Sequence, residues 1–79
     1  MKTPRNLSGK DLVLALKQLG YTQTRQRGSH IRISTLLNGQ HHITIPNHQP
    51  LKTGTLTAIL NDIANHHKID KEQLIKLIS

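Results

Sequence analysis

The sequence has no cysteine, no tryptophan and no phenylalanine. Without cysteine it can form neither a disulfide nor a thiolate zinc site, two devices that often reinforce small proteins. Its one aromatic residue of the Phe, Trp and Tyr class is Tyr21, which almost excludes a site that stacks bases on aromatic side chains. The core must therefore hold by packing of aliphatic side chains, chiefly leucine and isoleucine.

Acidic residues are scarce as well. Four Asp and Glu stand against eleven Lys and Arg, which gives a formal charge of +7 in 79 residues. This excess makes polyanions the leading class of partner. So few carboxylates make a magnesium nuclease site hard to assemble, and no phosphate-binding glycine loop of the Walker type is present. We expect no metal and no small-molecule cofactor.

Long apolar runs are also missing. Residues 1–7 lack the apolar segment of a signal peptide, so export and membrane spanning are disfavoured and the expected location is the cytoplasm. The length is about half that of a typical domain, which predicts one domain over residues 1–79 with a flexible N-terminus over 1–7.

Apolar residues recur at helical spacing in three places. Ser8 and Asp11 match a capping box at the start of the first, which predicts a helix over about 9–19. A second apolar stripe predicts a helix over about 54–66, with Thr53 as a candidate cap. Asp70 then begins a last short helix.

Between the first two helices the apolar period changes to two, as in half-buried strands. A two-residue turn at Asn38-Gly39 would pair Ile33 with the polar Thr44. A three-residue loop over 37–39, with glycine in the left-handed position, instead pairs Ile33 with Ile43. We therefore predict the longer loop.

The remaining strand, residues 22–27, contains no apolar residue and is predicted to be an edge strand. A type II′ turn at Gly28-Ser29 would join it to the next strand. The pairs that this turn creates are Arg27 with His30 and Arg25 with Arg32. The complete order is helix, three-stranded antiparallel sheet, helix and short helix, an α+β fold with its helices on one face of the sheet.

The opposite face of the sheet would carry His30 in the open, surrounded by Arg25, Arg27 and Arg32. Guanidinium groups can hold a phosphate while an imidazole moves a proton near neutral pH, so this grouping indicates phosphodiester chemistry. The alternative is that His30 is an ordinary polar residue on a solvated strand.

The other histidines have less suggestive positions. His41-His42 point to opposite faces of a strand and His66-His67 lie about 100° apart on a helix, so neither doublet has chelating spacing and both are assigned structural or solvated roles. His48 lies in a proline-flanked loop, where it either contacts phosphate or orders the loop. Lys52 precedes a helix whose N-terminus can bind an anion, although capping by Thr53 explains the same residues.

Several motifs occur together between residues 6 and 63. They are Ser8-Gly9-Lys10-Asp11, Gly20-Tyr21, Arg27-Gly28-Ser29-His30, Ile43-Thr44-Ile45-Pro46-Asn47-His48, Leu51 and Gly54-Thr55-Leu56. In this order they resemble the HicA toxins, also called the YcfA family. The chain departs from that pattern at Ala64–Lys68, where members tend to have a short glycine-containing turn.

The resemblance implies a fold like that of a double-stranded-RNA-binding domain, and an endoribonuclease that acts on messenger RNA as the toxin of a type II toxin–antitoxin module. It implies that a HicB antitoxin neutralises the protein and that His30, in the Gly-Ser-His motif, is catalytic. We expect the reaction to need no metal, with the RNA's own 2′-hydroxyl as nucleophile. The residues expected to bind RNA are Arg25, Arg27, Arg32, Lys52 and His48.

Two other functions remain open at this point. A non-catalytic RNA-binding module would use the same basic sheet. A DNA-binding regulator would need a base-reading helix, but the second helix offers Asn61, Asp62 and Asn65 and no arginine-rich face. Within the ribonuclease hypothesis, Lys52 and His48 are both candidates for a complementary acid or base.

Overall fold

A computed structural model of the protein describes residues 6–78. The elements in chain order are α1 (Gly9–Ala15), a 3₁₀ turn (Leu16–Leu19), β1 (Thr22–Arg27), β2 (His30–Thr35), β3 (His41–Pro46), α2 (Thr53–His67) and α3 (Lys71–Ile78). The strands form one antiparallel sheet in the order β1-β2-β3, which confirms the predicted α+β fold. Most of the predicted flexible segment 1–7 lies outside the described residues; Leu7 packs against the core.

The capping box at the start of α1 is present. Ser8 Oγ accepts the Asp11 N–H at 3.0 Å, and Asp11 Oδ2 accepts the Ser8 N–H at 3.4 Å. The predicted helix over 9–19 is only partly α-helical, because its last four residues tighten into the 3₁₀ turn. That turn ends where Thr35 Oγ1 donates to the Leu19 carbonyl at 2.8 Å and Gly20 turns left-handed at φ 81°.

The predicted register of β2 and β3 is confirmed. Ile33 lies opposite Ile43, so the apolar side chains share one face. The connecting loop is longer than predicted, because pairing stops at Thr35 and His41 and leaves residues 36–40 outside the strands. Asn38 and Gly39 both have positive φ, 59° and 97°.

Strand β1 lies at the edge of the sheet and is exposed along its whole length, as predicted. Gly28 has φ 59° in the turn that follows, and Arg27 pairs with His30. The positive φ explains why glycine stands at this turn position.

The helices cover the isoleucine face of the sheet. Leu12 and Leu16 from the N-terminal helical segment, Leu60 and Ile63 from α2, and Leu74 from α3 are fully buried together with Ile33 and Ile45. None of the helices within residues 6–78 covers the opposite face of the sheet. The isoleucines are thus buried, while His30 on the other face is exposed.

Both ends of α2 differ from the sequence expectation. Thr53 is not the cap: it is the first helical residue, and Lys52, in extended conformation, occupies the cap position with no side-chain hydrogen bond. At the other end Lys68 adopts the left-handed conformation, with φ 55° and ψ 44°, in the segment where a glycine turn was missing. At the start of α3, the Asp70 N–H donates to Gln73 Oε1 at 3.1 Å. Within residues 6–78, every helix is too short or too polar to cross a membrane.

Candidate nucleic-acid interface

The side chains on the uncovered side of the sheet form a basic surface, which we call the open face. Strand alternation and the observed register place on it Arg25 and Arg27 from β1, His30, Arg32 and Ser34 from β2, and His42 and Thr44 from β3. All are exposed except Ser34, which is half-buried. The structure therefore brings together four of the residues predicted as site residues: His30 and the three arginines.

A β-bulge at Thr24 separates the arginine half of β1 from its first residues. Gln23 pairs with Ile33, but Arg25 pairs with Arg32, so Thr24 is an extra residue in β1. The turn at Gly28-Ser29 sets Arg27 and Arg25 on the open face, and without the bulge Gln23 would lie opposite Ser34 instead of Ile33. Thr24 Oγ1 donates to the Arg32 carbonyl at 3.3 Å and thereby ties the bulge to β2. Bulges commonly redirect side chains next to functional sites.

His30 begins β2, directly after the Gly28-Ser29 turn. It lies between Arg27 on β1 and Pro46 on β3. The turn is fixed from the other side because the Asn47 N–H donates to the Ser29 carbonyl at 2.6 Å. His30 thus has an exposed imidazole on an anchored backbone, with a guanidinium on the neighbouring strand.

The N-terminus of α1 packs against the same end of the sheet. The Gly9 N–H donates to the His48 carbonyl at 2.9 Å, and a Cβ at Gly9 would lie 2.0 Å from the Pro46 carbonyl oxygen. Only glycine allows this approach. The loop that carries His48 is consequently held near the His30 end of the sheet by its backbone.

His48 and Lys52 are placed at this end of the molecule, away from the strands. His48 is exposed in the loop after β3, and Lys52 is exposed at the cap position of α2. Among the described residues, no hydrogen bond or ion pair joins either side chain to the open face. Their backbones lie at the end of the sheet where His30 begins β2, outside the strands that carry the arginines.

The acidic residues of the chain are confined to its helical layer, which carries lysines as well. All four acidic residues lie on or beside helices: Asp11 in α1, Asp62 in α2, Asp70 before α3 and Glu72 in α3. Within residues 6–78 none of the three open-face arginines has an ion-pair partner. Because like charges directly opposite each other destabilise a sheet, Arg25 and Arg32 are arranged to gain from an anion.

One open-face residue was missed by the sequence analysis. His42 Nδ1 is hydrogen-bonded to Ser34 Oγ on the neighbouring strand. Both residues line a shallow depression of about 260 Å³, together with Thr24, Arg25 and Arg32. The signal was available, since the predicted pairing of Ile33 with Ile43 also places Ser34 opposite His42.

The other three strand and helix histidines belong to the covered side. Tyr21 Oη lies 2.7 Å from His41 Nδ1 and 3.1 Å from His67 Nε2, and His41 Nε2 lies 3.3 Å from Asp62 Oδ1. His66 Nε2 contacts the Leu37 and Gly39 carbonyls, each at 3.1 Å. Burial, and to a lesser degree the charge of Asp62, raises the pKa of Tyr21 to about 12. These contacts agree with structural roles.

The histidine rings around Tyr21 are hydrogen-bonded through their nitrogens to other groups of the protein. Asn38 Nδ2 lies 3.0 Å from His67 Nδ1, so both nitrogens of the buried His67 are engaged. Burial lowers the pKa of His67, and the neighbouring His66 and His41 lower it further. In the part of the chain that the structure describes, no three His, Cys, Asp or Glu side chains are arranged to hold a metal ion.

Comparison with known proteins identifies one family. The model of the family described as "HicA toxin of bacterial toxin-antitoxin" matches residues 9–64. This range includes all of the sheet, the open face and most of α2. It confirms the resemblance drawn from the motifs between residues 6 and 63. Neither a curated protein nor a solved structure matches the chain significantly.

Proposed function

The chain belongs to the HicA toxin family of bacterial toxin–antitoxin systems, and on that premise we propose that it is a metal-independent endoribonuclease that cleaves messenger RNA, with His30 as its catalytic residue. Membership of a toxin family implies an antitoxin partner, and we propose that this partner is of the HicB type. The observation that carries the proposal is the position of His30, exposed beside Arg27 on a face that has no carboxylate among the described residues.

The chemistry that suits this surface uses the substrate's own nucleophile. The 2′-hydroxyl of the RNA attacks the adjacent phosphorus, a bond to the 5′-oxygen of the next nucleotide breaks, and a 2′,3′-cyclic phosphate forms. His30 moves a proton in this step, while Arg27 and Arg32 stabilise the charge on the phosphoryl oxygens. His48 and Lys52 remain candidates for the complementary acid or base, because both lie toward the His30 end of the sheet.

The first test separates chemistry from folding. We expect His30→Ala to keep the circular dichroism spectrum of the parent, since the side chain is exposed, and to lose cleavage of a long RNA and growth inhibition. The assay is run in chelator, in which the parent should cleave unimpaired. A folded His30→Ala protein that cleaves at the parental rate would contradict the assignment.

The second test addresses the nucleophile. A substrate with one 2′-deoxy sugar at the cleaved position should be inert there, and the upstream fragment of an all-RNA substrate should end in a cyclic phosphate. Cleavage of the deoxy substrate at an undiminished rate would mean that water is the nucleophile. If the parent binds RNA but never cleaves it, the protein is an RNA-binding module, the alternative function that the same basic face favours.

The arginines are proposed to act by holding phosphates. Arg32→Ala should weaken binding of every RNA sequence and reduce the slope of log affinity against log salt by about 1. Lys76→Ala is the matched control, because Lys76 is exposed on α3 and its loss removes the same charge from the helical layer. Equal effects of the two variants would indicate that net charge alone attracts RNA.

The HicB-type antitoxin is proposed to cover the open face. A basic nuclease surface must be silenced in its own cell, and an acidic partner would be captured rapidly by charge complementarity. Hydrogen-exchange or chemical footprinting of the complex should therefore protect Arg27, His30 and Arg32. If these residues stay as accessible as in the free protein, inhibition must be allosteric.

A further inference from the structure

The depression on the open face holds a group of side chains of which the proposed cleavage step uses only Arg32. Ser34 and His42 are hydrogen-bonded across β2 and β3, and Arg25 and Arg32 are directly opposed across β1 and β2. We propose that these four residues form a second phosphate-binding site, which holds another backbone phosphate of the RNA strand that His30 cleaves. The inference rests on the proposed function.

The site is built for an anion. Two guanidinium groups lie opposite each other, and neither has an acidic partner within residues 6–78. Arginine presents paired donors that match two oxygens of a phosphate. The pairing that follows the Gly28-Ser29 turn places Arg25 on this face, and Thr24, the bulged residue next to it, lines the depression. The opposed guanidinium groups and the depression therefore occupy the same part of the sheet.

The hydrogen bond to Ser34 determines what His42 offers to a ligand. It occupies Nδ1 and leaves Nε2 of the exposed ring free of any protein partner among the described residues. When the Ser34 hydroxyl donates to Nδ1, the neutral ring carries its proton on Nε2, which then donates outward. Ser34 is thus a positioning residue that aims a donor at the depression.

The distance from His30 shows that the site holds a different phosphate. Ser34 lies four residues from His30 on the same strand, which at about 3.3 Å per residue is about 13 Å. One phosphate cannot contact both ends of that span. His42 is therefore not the complementary acid or base of the His30 reaction.

A nucleophilic role for Ser34 fits the geometry less well. A serine–histidine dyad needs a third group to orient the imidazole from its other nitrogen. The acidic residues all belong to the helical layer, on the other side of the sheet. We therefore assign binding, not covalent chemistry, to this pair.

Binding is tested in the His30→Ala background, where the RNA is not consumed. The probe is a fluorescein-labelled octauridylate, and its affinity is measured by anisotropy. Adding His42→Ala should weaken binding by about three- to tenfold, since one hydrogen bond at a solvent-exposed surface is lost. Ser34→Ala should weaken it less, and Ser34→Thr, which keeps the hydroxyl, should restore it. Lys76→Ala controls for general charge effects, and urea midpoints confirm that each variant is folded.

The outcomes distinguish this inference from the proposed function. If Arg32→Ala weakens octauridylate binding but His42→Ala and Ser34→Ala do not, the pair is only a cross-strand contact of the sheet and the second site is overturned while the nuclease proposal stands. If the His30→Ala protein does not bind octauridylate at all, both are overturned. If Ser34→Thr fails to rescue a loss caused by Ser34→Ala, the positioning role is overturned.

Discussion

Mild acid should destabilise the protein through His67. This side chain is 7% exposed, with Nδ1 at 3.0 Å from Asn38 Nδ2 and Nε2 at 3.1 Å from Tyr21 Oη. The Asn38 nitrogen can only donate, so Nδ1 accepts and the ring's one proton is on Nε2, which donates to Tyr21. Tyr21 in turn donates to His41 Nδ1, and His41 Nε2–H donates to Asp62. The donor and the acceptor of each hydrogen bond in this series are therefore assigned.

A second proton on His67 has no favourable site. It would face the Asn38 donor inside the core, and burial together with the neighbouring His66 and His41 lowers the pKa of His67. The unfolded chain therefore takes up this proton more readily than the folded one. The stability that follows is fully present above the unfolded pKa of about 6.5 and is lost as the pH falls below it, until the pH passes the folded pKa.

The size of the effect is bounded by linkage. A single titrating group changes the free energy of unfolding by at most about 1.4 kcal/mol per pH unit. Between the unfolded pKa of about 6.5 and about pH 5.5, the loss of stability is therefore at most about 1.4 kcal/mol. Small domains have total stabilities from about 5 kcal/mol upwards, so the loss is a measurable fraction.

Urea unfolding followed by circular dichroism tests this between about pH 7.5 and 5.5. His67→Gln is the comparison, because glutamine does not titrate and its amide nitrogen can donate toward Tyr21. The parent should lose more stability than the variant over this range, by at most about 1.4 kcal/mol. Parallel losses would show that His67 is not the titrating group, and a parent that gains stability on acidification would refute the proton assignment.

Three further predictions concern stability and are checked by urea midpoints at neutral pH. Gly9→Ala should lower the free energy of unfolding by about 1–3 kcal/mol or more, because its Cβ would lie 2.0 Å from the Pro46 carbonyl oxygen. Gly54→Ala, in the first turn of α2 with open space around it, should instead raise that free energy by up to about 1 kcal/mol. Equal effects of the two substitutions would contradict the close approach at Gly9. Lys68→Gly should stabilise by about 0.5–1 kcal/mol by relieving φ 55°, and destabilisation would show that the left-handed residue carries no strain. Thr35→Val should cost about 1–3 kcal/mol, because the buried hydroxyl donates to one backbone group and accepts from another; a neutral result would mean that water replaces both bonds.

The parts of the fold that could be predicted depend on short-range rules. The capping box at Ser8 involves residues three apart, and the register of β2 and β3 follows from matching apolar faces. The bulge at Thr24 could not be predicted in this way. Strand 22–27 has no apolar residue to fix its register, so pairing predicted from the turn holds as far as Arg25 and then shifts by one residue.

The cluster around Tyr21 was beyond sequence reasoning for a different reason. Its members come from β3 and the end of α2, and their meeting depends on how the helix crosses the sheet. Spacing argued against chelation at His66-His67, but it could not reveal that these rings contact the loop between β2 and β3. His42 is the contrary case, since strand alternation alone would have placed it on the open face.

The sheet separates two sets of histidines with opposite requirements. His41 and His67, on the covered side, are held in defined proton states by partners on both ring nitrogens. His30 and His42, on the open face, each keep a ring nitrogen for a ligand. Burial lowers the pKa of His67 in the covered set, whereas the open-face set is proposed to contact RNA. The pH dependence of RNA cleavage should therefore be compared between the parent and His67→Gln, because folding of the variant no longer depends on the His67 proton.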